Sequence, residues 1–209
     1  MKLKYYCLED DFDFEDRWYI NRLCDNKGIE LDSREFQYGR SVDLGPPISA
    51  KTWKEGSPVA ASPPLRILLD PEIRGVPMDF TFSNEDTPVV SSKVSRIIAS
   101  TSPADIQLVP VIVESQEVAY DIMNVVHLVD CLDVHQSEIE WFAEGNDIRP
   151  DLAGSPQMIW KLVIDPARVQ GHHIFRITGW DIEIVVSSIV KDAFEKACVS
   201  GVRYRQVSP

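Results

Sequence analysis

Positive charge is what this chain has least of. Its 209 residues include 21 lysines and arginines against 33 aspartates and glutamates, which gives a formal net charge of −12 and a pI near 4.7. Binding to the phosphates of nucleic acid needs a basic stripe on the protein surface. The sequence has no such stripe, so we expect no nucleic acid partner. The same charge disfavours binding to an anionic membrane surface.

Long apolar runs are also missing. No stretch approaches the ~18 consecutive apolar residues of a transmembrane helix. The first residues lack the apolar core of a secretory signal, because acidic residues begin at Glu9. We therefore expect a cytoplasmic protein that does not enter a membrane. Apolar residues make up 44% of the chain, which favours a folded globular protein over a disordered one.

Sequence motifs for catalysis are absent as well. The chain has no glycine-rich phosphate or dinucleotide loop, no G-x-S-x-G motif and no H-E-x-x-H motif. Its four cysteines are widely separated and form no C-x-x-C pair, which is typical of free thiols that are buried as small hydrophobic residues. We predict no catalytic residue and no cofactor.

Four histidines offer few metal ligands. His127, Cys131 and His135 recur every four residues, but the apolar residues between them indicate a strand, in which four residues span about 13 Å. Ligands lie about 2 Å from a zinc ion, so a strand holds these side chains too far apart to share one. The Gly-His-His run at 171–173 resembles a nuclease motif, yet it opens an apolar strand and is better interpreted as a turn. We predict no metal site.

Negative charge is concentrated in one part of the chain. Residues 114–151, the acidic segment, carry ten carboxylates and one cation, Arg149, and so supply −9 of the formal −12. Apolar and aromatic residues are threaded through the segment, so it is not a solvated tail. Concentrated charge costs self-repulsion in a folded protein, and a cationic partner is one reason to keep it. A surface that only increases solubility is the alternative.

A second acidic run lies near the amino terminus. Residues 9–16, the acidic hook, contain six carboxylates and two phenylalanines. They indicate either a solvated turn or a binding element with aromatic anchors. Charge reasoning alone therefore gives candidates for contact with a cationic partner in both regions. These are Glu9, Asp10, Asp11, Asp13, Glu15, Asp16, Glu138, Glu140, Trp141, Glu144 and Asp147.

Hydrophobic periodicity predicts two helices. One begins with Thr87 as N-cap and Pro88 in its first turn, and carries apolar residues at helical spacing from Val90 onward. The other is capped by Ser187 or Ser188, buries a stripe centred on Phe194, and is followed by Gly201 as its C-terminal cap.

Strands are predicted between and around these helices. Alternating or continuous apolar runs place them at 2–8, 106–113, 122–132, 159–164, 174–177, 181–186 and 202–207. Pro110 suggests that its strand is an edge strand or contains a bulge. Strands and helices do not alternate regularly, so we predict an α+β fold with a mixed, largely antiparallel sheet and a few packed helices.

Prolines suggest a boundary between two parts of the chain. Five of them fall between Gly45 and Pro64, which disfavours regular structure there. We predict a small amino-terminal α/β subdomain at 1–45, a proline-rich linker at 46–64 and a carboxy-terminal α+β domain at 65–209. The first piece is small for an independent domain, so we expect it to pack on the remainder.

Several short pieces of the sequence together resemble a known family. They are Asp79-Phe80, the run 88–91, Val109-Pro110-Val111, the run 129–133 followed by Ser137, Phe175-Arg176, and Gly201-Val202-Arg203-Tyr204. Their order and spacing over about residues 35–207 resemble the bacterial immunity-protein family eleven, long catalogued as a domain of unknown function.

This resemblance implies an immunity protein of a polymorphic toxin system. Such a protein is not an enzyme: it binds and neutralises a co-encoded toxin in the cytoplasm of the producing bacterium. The family carries over no contact residue, because these surfaces vary with the toxin. We expect an acidic surface to cover the basic active-site cleft of the toxin, most simply a nuclease. A homo-oligomer is compatible with the sequence but nothing indicates one.

Two other functions stay open. An enzyme of unrecognised type could use carboxylates with His127 or His135 as proton-transfer groups. An acidic chaperone or adaptor could bind secreted effectors. The neighbouring gene separates these classes, because a large gene that ends in a basic domain favours immunity and a metabolic operon favours an enzyme.

Overall fold

Two large β-sheets, a short ribbon and two α-helices form the described part of the chain. The computed structural model describes residues 3–25, 27–42, 65–83, 87–143 and 150–209. The strands are β1 (Tyr5–Asp10), β2 (Trp18–Cys24), β3 (Leu65–Arg74), β4 (Phe80–Ser83), β5 (Thr87–Ser91), β6 (Ile106–Val113), β7 (Tyr120–Val125), β8 (Leu128–Val129), β9 (Glu138–Trp141), β10 (Pro156–Lys161), β11 (Ile174–Ile177), β12 (Trp180–Ser187) and β13 (Val202–Gln206). The helices are α1 (Ser92–Thr101) and α2 (Ser188–Lys196).

The strands pair in three groups. A six-stranded sheet has the order β2-β3-β6-β7-β5-β4, a five-stranded sheet has the order β13-β1-β12-β11-β8, and β9 pairs only with β10. Neighbours are antiparallel except for β3 with β6 and β11 with β8. The predicted α+β class with largely antiparallel pairing is therefore confirmed.

The two amino-terminal strands belong to different sheets. β1 pairs with β12 and β13, whereas β2 pairs with β3. The predicted linker at 46–64 lies outside the described residues.

One hydrophobic core joins the two large sheets through the helices. It combines Leu8 and Ile184 from the five-stranded sheet, Phe80 and Met123 from the six-stranded sheet, and Phe194 from α2. A second core lies under the six-stranded sheet, and a third covers the other side of the five-stranded sheet. The β9–β10 ribbon packs on that third core.

The predicted start of the first helix is wrong. Thr87 to Ser91 form β5, in which all five residues are buried, and α1 begins at Ser92. The β-branched pair Val89 and Val90 fits the interior of a sheet. Burial there outweighs the local helix-start signal of Thr87-Pro88.

Two local signals also point to the wrong place. Pro110 does not mark an edge strand, because β6 lies between β3 and β7; pairing with β3 begins at Val111, after the proline. Gly201 does not end α2, since Cys198 takes the left-handed conformation that follows the helix, with φ 50°. Gly201 has φ 86° in the turn before β13, where a Cβ atom would collide with the Phe80 carbonyl oxygen.

The burial of Phe194 allows a test of the shared core. Phe194 is fully buried between the two sheets, whereas Ile189 on the same helix is 45% exposed. We expect Phe194→Ala to lower the free energy of unfolding by about 3–5 kcal/mol. Ile189→Ala is the control and should change it by less than about 1 kcal/mol. Urea denaturation measures both, and equal small losses would show that α2 does not pack as described.

Candidate protein-binding surface

The acidic hook folds around a buried arginine. Arg17 is 2% exposed, and its guanidinium lies 3.1 Å from the carboxylate of Asp10. It also donates to the backbone oxygen of Asp11 at 3.0 Å and to the hydroxyl of Thr81 in β4 at 2.7 Å. Burial raises the pKa of Asp10, and the Arg17 guanidinium opposes part of that rise. Asp10 therefore serves the fold and is not presented to a partner.

Two further hook carboxylates are paired with arginines of β13. Asp13 contacts Arg203 at 2.9 Å, and Glu9 contacts Arg205 at 2.5 Å. Arg205 also contacts Glu183 of β12 at 2.6 Å. The other three hook candidates, Asp11, Glu15 and Asp16, form no ion pair among the described residues. The hook is thus far less negative than its sequence suggests.

A cleft opens beside the hook, between the two large sheets. Its volume is about 770 Å³, and its wall includes Glu9, Phe12, Tyr19, Ile182 and Arg205. Phe12 is 65% exposed, with the Arg17 guanidinium over its ring at 5.3 Å. The cleft has aromatic edges, but its acidic groups already share cations of the same chain.

The acidic segment does not form one surface. Its strands β7, β8 and β9 belong to the six-stranded sheet, the five-stranded sheet and the ribbon respectively. Asp121 accepts a hydrogen bond from Ser95 at 2.6 Å, and Asp130 contacts Arg168 at 2.5 Å. Asp133 accepts from the Gln136 side chain and from two backbone N–H groups, which lowers its pKa. These carboxylates bind groups of their own chain.

The last described strand of the acidic segment, β9, pairs with β10 from outside the segment to form a largely exposed ribbon. Ile139 and Ile159 are opposite each other and turn towards the third core. Side chains in a strand alternate between its two faces, so Glu140 and its cross-strand partner Met158 lie on the outer face. Trp160 comes next in β10, at an irregularity where the pairing of β10 with β9 shifts register between Ile159 and Lys161.

This ribbon carries both large exposed apolar side chains and carboxylates. Trp160 is 70% exposed, Trp141 is 44% and Met158 is 42%. Among the residues that the structure describes, neither Glu138 nor Glu140 forms an ion pair, although Lys161 is the cross-strand neighbour of Glu138. We name these three apolar side chains and two carboxylates the ribbon surface. Exposed tryptophan and methionine side chains that lie close together are typical of a protein-interaction site.

A sequence model of the immunity protein family (Imm11) matches residues 21–209. The chain belongs to this family. Its role is therefore that of an immunity protein, which binds a cognate toxin protein. No curated protein matches the chain. In the described ranges, no helix is long and apolar enough to cross a membrane.

The structure separates the sequence candidates of this immunity protein into groups. Glu138, Glu140 and Trp141 are all exposed on β9, whereas the hook connects β1 to β2. Glu144 and Asp147 are outside the described residues. Charge reasoning missed Met158 and Trp160, because neither is acidic. Met158, Ile159 and Trp160 form a continuous apolar run, so no apolar/polar alternation in the sequence shows which of them faces solvent.

The structure does not bring His127, Cys131 and His135 together as one set of metal ligands. Cys131 is fully buried in the third core, and burial raises its pKa to about 12. His135 is exposed in the turn made by Asp133. His127 instead lies next to His172, with ring centroids 4.3 Å apart, although the two are distant in sequence.

Proposed function

We propose that this immunity protein neutralises its toxin by stoichiometric, non-catalytic binding through the ribbon surface. The observation that carries the proposal is Trp160, which is 70% exposed next to two carboxylates that form no ion pair among the described residues. An indole left in water is unfavourable in the free protein. Burial against a partner gains about 25 cal/mol for each Å² of apolar area removed from water.

The composition of the ribbon surface suits a binding hot spot. Such sites are enriched in tryptophan, lie in the centre of an interface and are surrounded by polar contacts that exclude water. Trp160 and Met158 supply the apolar centre, and Glu138 and Glu140 supply the charged surroundings. The hook is the weaker candidate, because three of its six carboxylates are neutralised by arginines.

The charge of the ribbon favours a basic partner. Acidic groups on one protein attract a cationic surface on the other and accelerate their encounter. A nuclease has such a surface, since its active-site cleft binds phosphates. We infer that the ribbon covers this cleft and excludes substrate in the cytoplasm of the producing bacterium.

Matched variants can separate the effect of the ribbon carboxylates on the association rate from the effect of the net charge of the protein. Glu138→Gln/Glu140→Gln should slow association with the toxin domain encoded beside this gene, and weaken the dependence of the on-rate on salt. Glu15→Gln/Asp16→Asn removes the same charge from the exposed hook and should leave the on-rate near that of wild type. Stopped-flow binding at two salt concentrations measures both. A larger effect of the hook variant would place the contact there instead.

The apolar contribution to toxin affinity depends mainly on the side chain of Trp160. Trp160→Ala should weaken binding by about 2 kcal/mol or more, roughly thirtyfold in Kd, mainly through faster dissociation. Phe12→Ala removes a similarly exposed aromatic residue from the hook and serves as the control. Surface plasmon resonance gives both rates. Wild-type affinity for Trp160→Ala would exclude the ribbon as the centre of the interface.

A further inference from the structure

Three ligand-type side chains meet where the two large sheets approach each other. Asp105 comes immediately before β6, His127 lies between β7 and β8, and His172 lies in the turn before β11. One potential ligand atom from each is within 4.8 Å of the others. We name this group the His–Asp cluster. Two imidazoles and a carboxylate are among the side chains that bind zinc in proteins.

The carboxylate is held in a fixed orientation. Oδ2 of Asp105 accepts hydrogen bonds from the backbone N–H groups of His173 at 2.9 Å and Ile174 at 3.1 Å. Its other oxygen, Oδ1, is directed to the two imidazoles. Metal sites use such backbone contacts to orient a ligand before the ion binds.

The distances within the cluster are close to those of a zinc site. Nδ1 of His172 is 2.9 Å and Nε2 of His127 is 3.8 Å from Oδ1 of Asp105. Tetrahedral ligands at zinc are separated by roughly 3.3 Å, because each lies about 2.0–2.1 Å from the ion. Shifts of less than about an ångström in each contact would therefore complete the geometry.

Hydrogen bonds occupy the same atoms when no ion is bound. The Asp105 carboxylate and the Ala104 carbonyl oxygen only accept, so His172 donates through Nδ1 to the first, and His127 donates through Nε2 to the second at 3.1 Å. When an ion binds these two nitrogens, each neutral imidazole carries its proton on the other ring nitrogen instead. Both imidazoles are partly exposed, at 36% for His127 and 29% for His172, so an ion from solvent can reach them.

We propose that the His–Asp cluster binds one Zn²⁺ ion through Asp105, His127 and His172, with a position left for water. This site is separate from toxin binding by the ribbon. Because Asp105 leads into the six-stranded sheet and His172 into the five-stranded sheet, the ion clamps the two sheets together. The prediction of no metal site considered His127 only with Cys131 and His135, and interpreted the run that contains His172 as a turn.

Zinc titration of chelator-treated full-length protein tests this site. Calorimetry should show one equivalent of Zn²⁺ bound, and Tm should rise with added Zn²⁺ but not with Mg²⁺, because the ion binds only the folded protein. His127→Gln and His172→Gln should each weaken zinc affinity by at least about tenfold. His135→Gln is the control, since that histidine is exposed elsewhere, and should bind zinc as wild type does.

Two results would overturn the proposal. One is the absence of zinc binding by the wild-type protein, and the other is an equal loss of affinity in His135→Gln. Tm without zinc shows whether each variant is folded. His127→Gln is the more informative of the two cluster variants, because it leaves the contact between Asp105 and His172 in place. No toxin is needed, so the outcome does not depend on the proposed toxin-binding surface.

Discussion

The buried guanidinium of Arg17 is the charged contact that links the two large sheets beside the hydrophobic core they share. It lies just before β2, pairs with Asp10 at the end of β1, and donates to Thr81 in β4. A buried cation is tolerated only when an opposite charge lies beside it and its N–H groups find hydrogen-bond acceptors. The acidic residues near the amino terminus supply that match, so part of the negative charge of the chain is required by the fold itself.

This requirement changes what the acidic sequence means for function. Charge that is dense along the chain is distributed over different sheets, and four of its carboxylates are paired with Arg17, Arg168, Arg203 and Arg205. The ribbon differs because it belongs to neither large sheet, and neither of its two acids forms an ion pair among the described residues. Apolar side chains exposed on the same element make it the natural place for a partner protein.

Local sequence patterns predicted the elements whose burial matches their periodicity. The strand Ile174–Ile177 has the predicted bounds, and α2 follows Ser187 with Phe194 buried as its stripe requires. The prediction failed at β5, where Thr87-Pro88 suits a helix start but packing between β4 and β7 decides the structure. Local signals report on neighbours in the chain, and they are overruled where a segment is buried between distant strands.

The candidate sites were less predictable than the fold. Two acids and Trp141 of the ribbon surface could be identified from charge, but Trp160 required knowledge of which face of β10 is buried. The His–Asp cluster brings together residues from three separate segments, and no spacing in the sequence indicates such a meeting. Ion pairs of the hook are likewise formed with β13, almost at the other end of the chain.

Titration of the immunity protein against a fixed amount of its toxin is the most direct test of the central claim. If neutralisation is binding, toxin activity should fall linearly and vanish at a fixed molar ratio, and gel filtration should show a complex of the same composition. Protection at far smaller amounts than the toxin, without a complex, would contradict the account and indicate an enzyme.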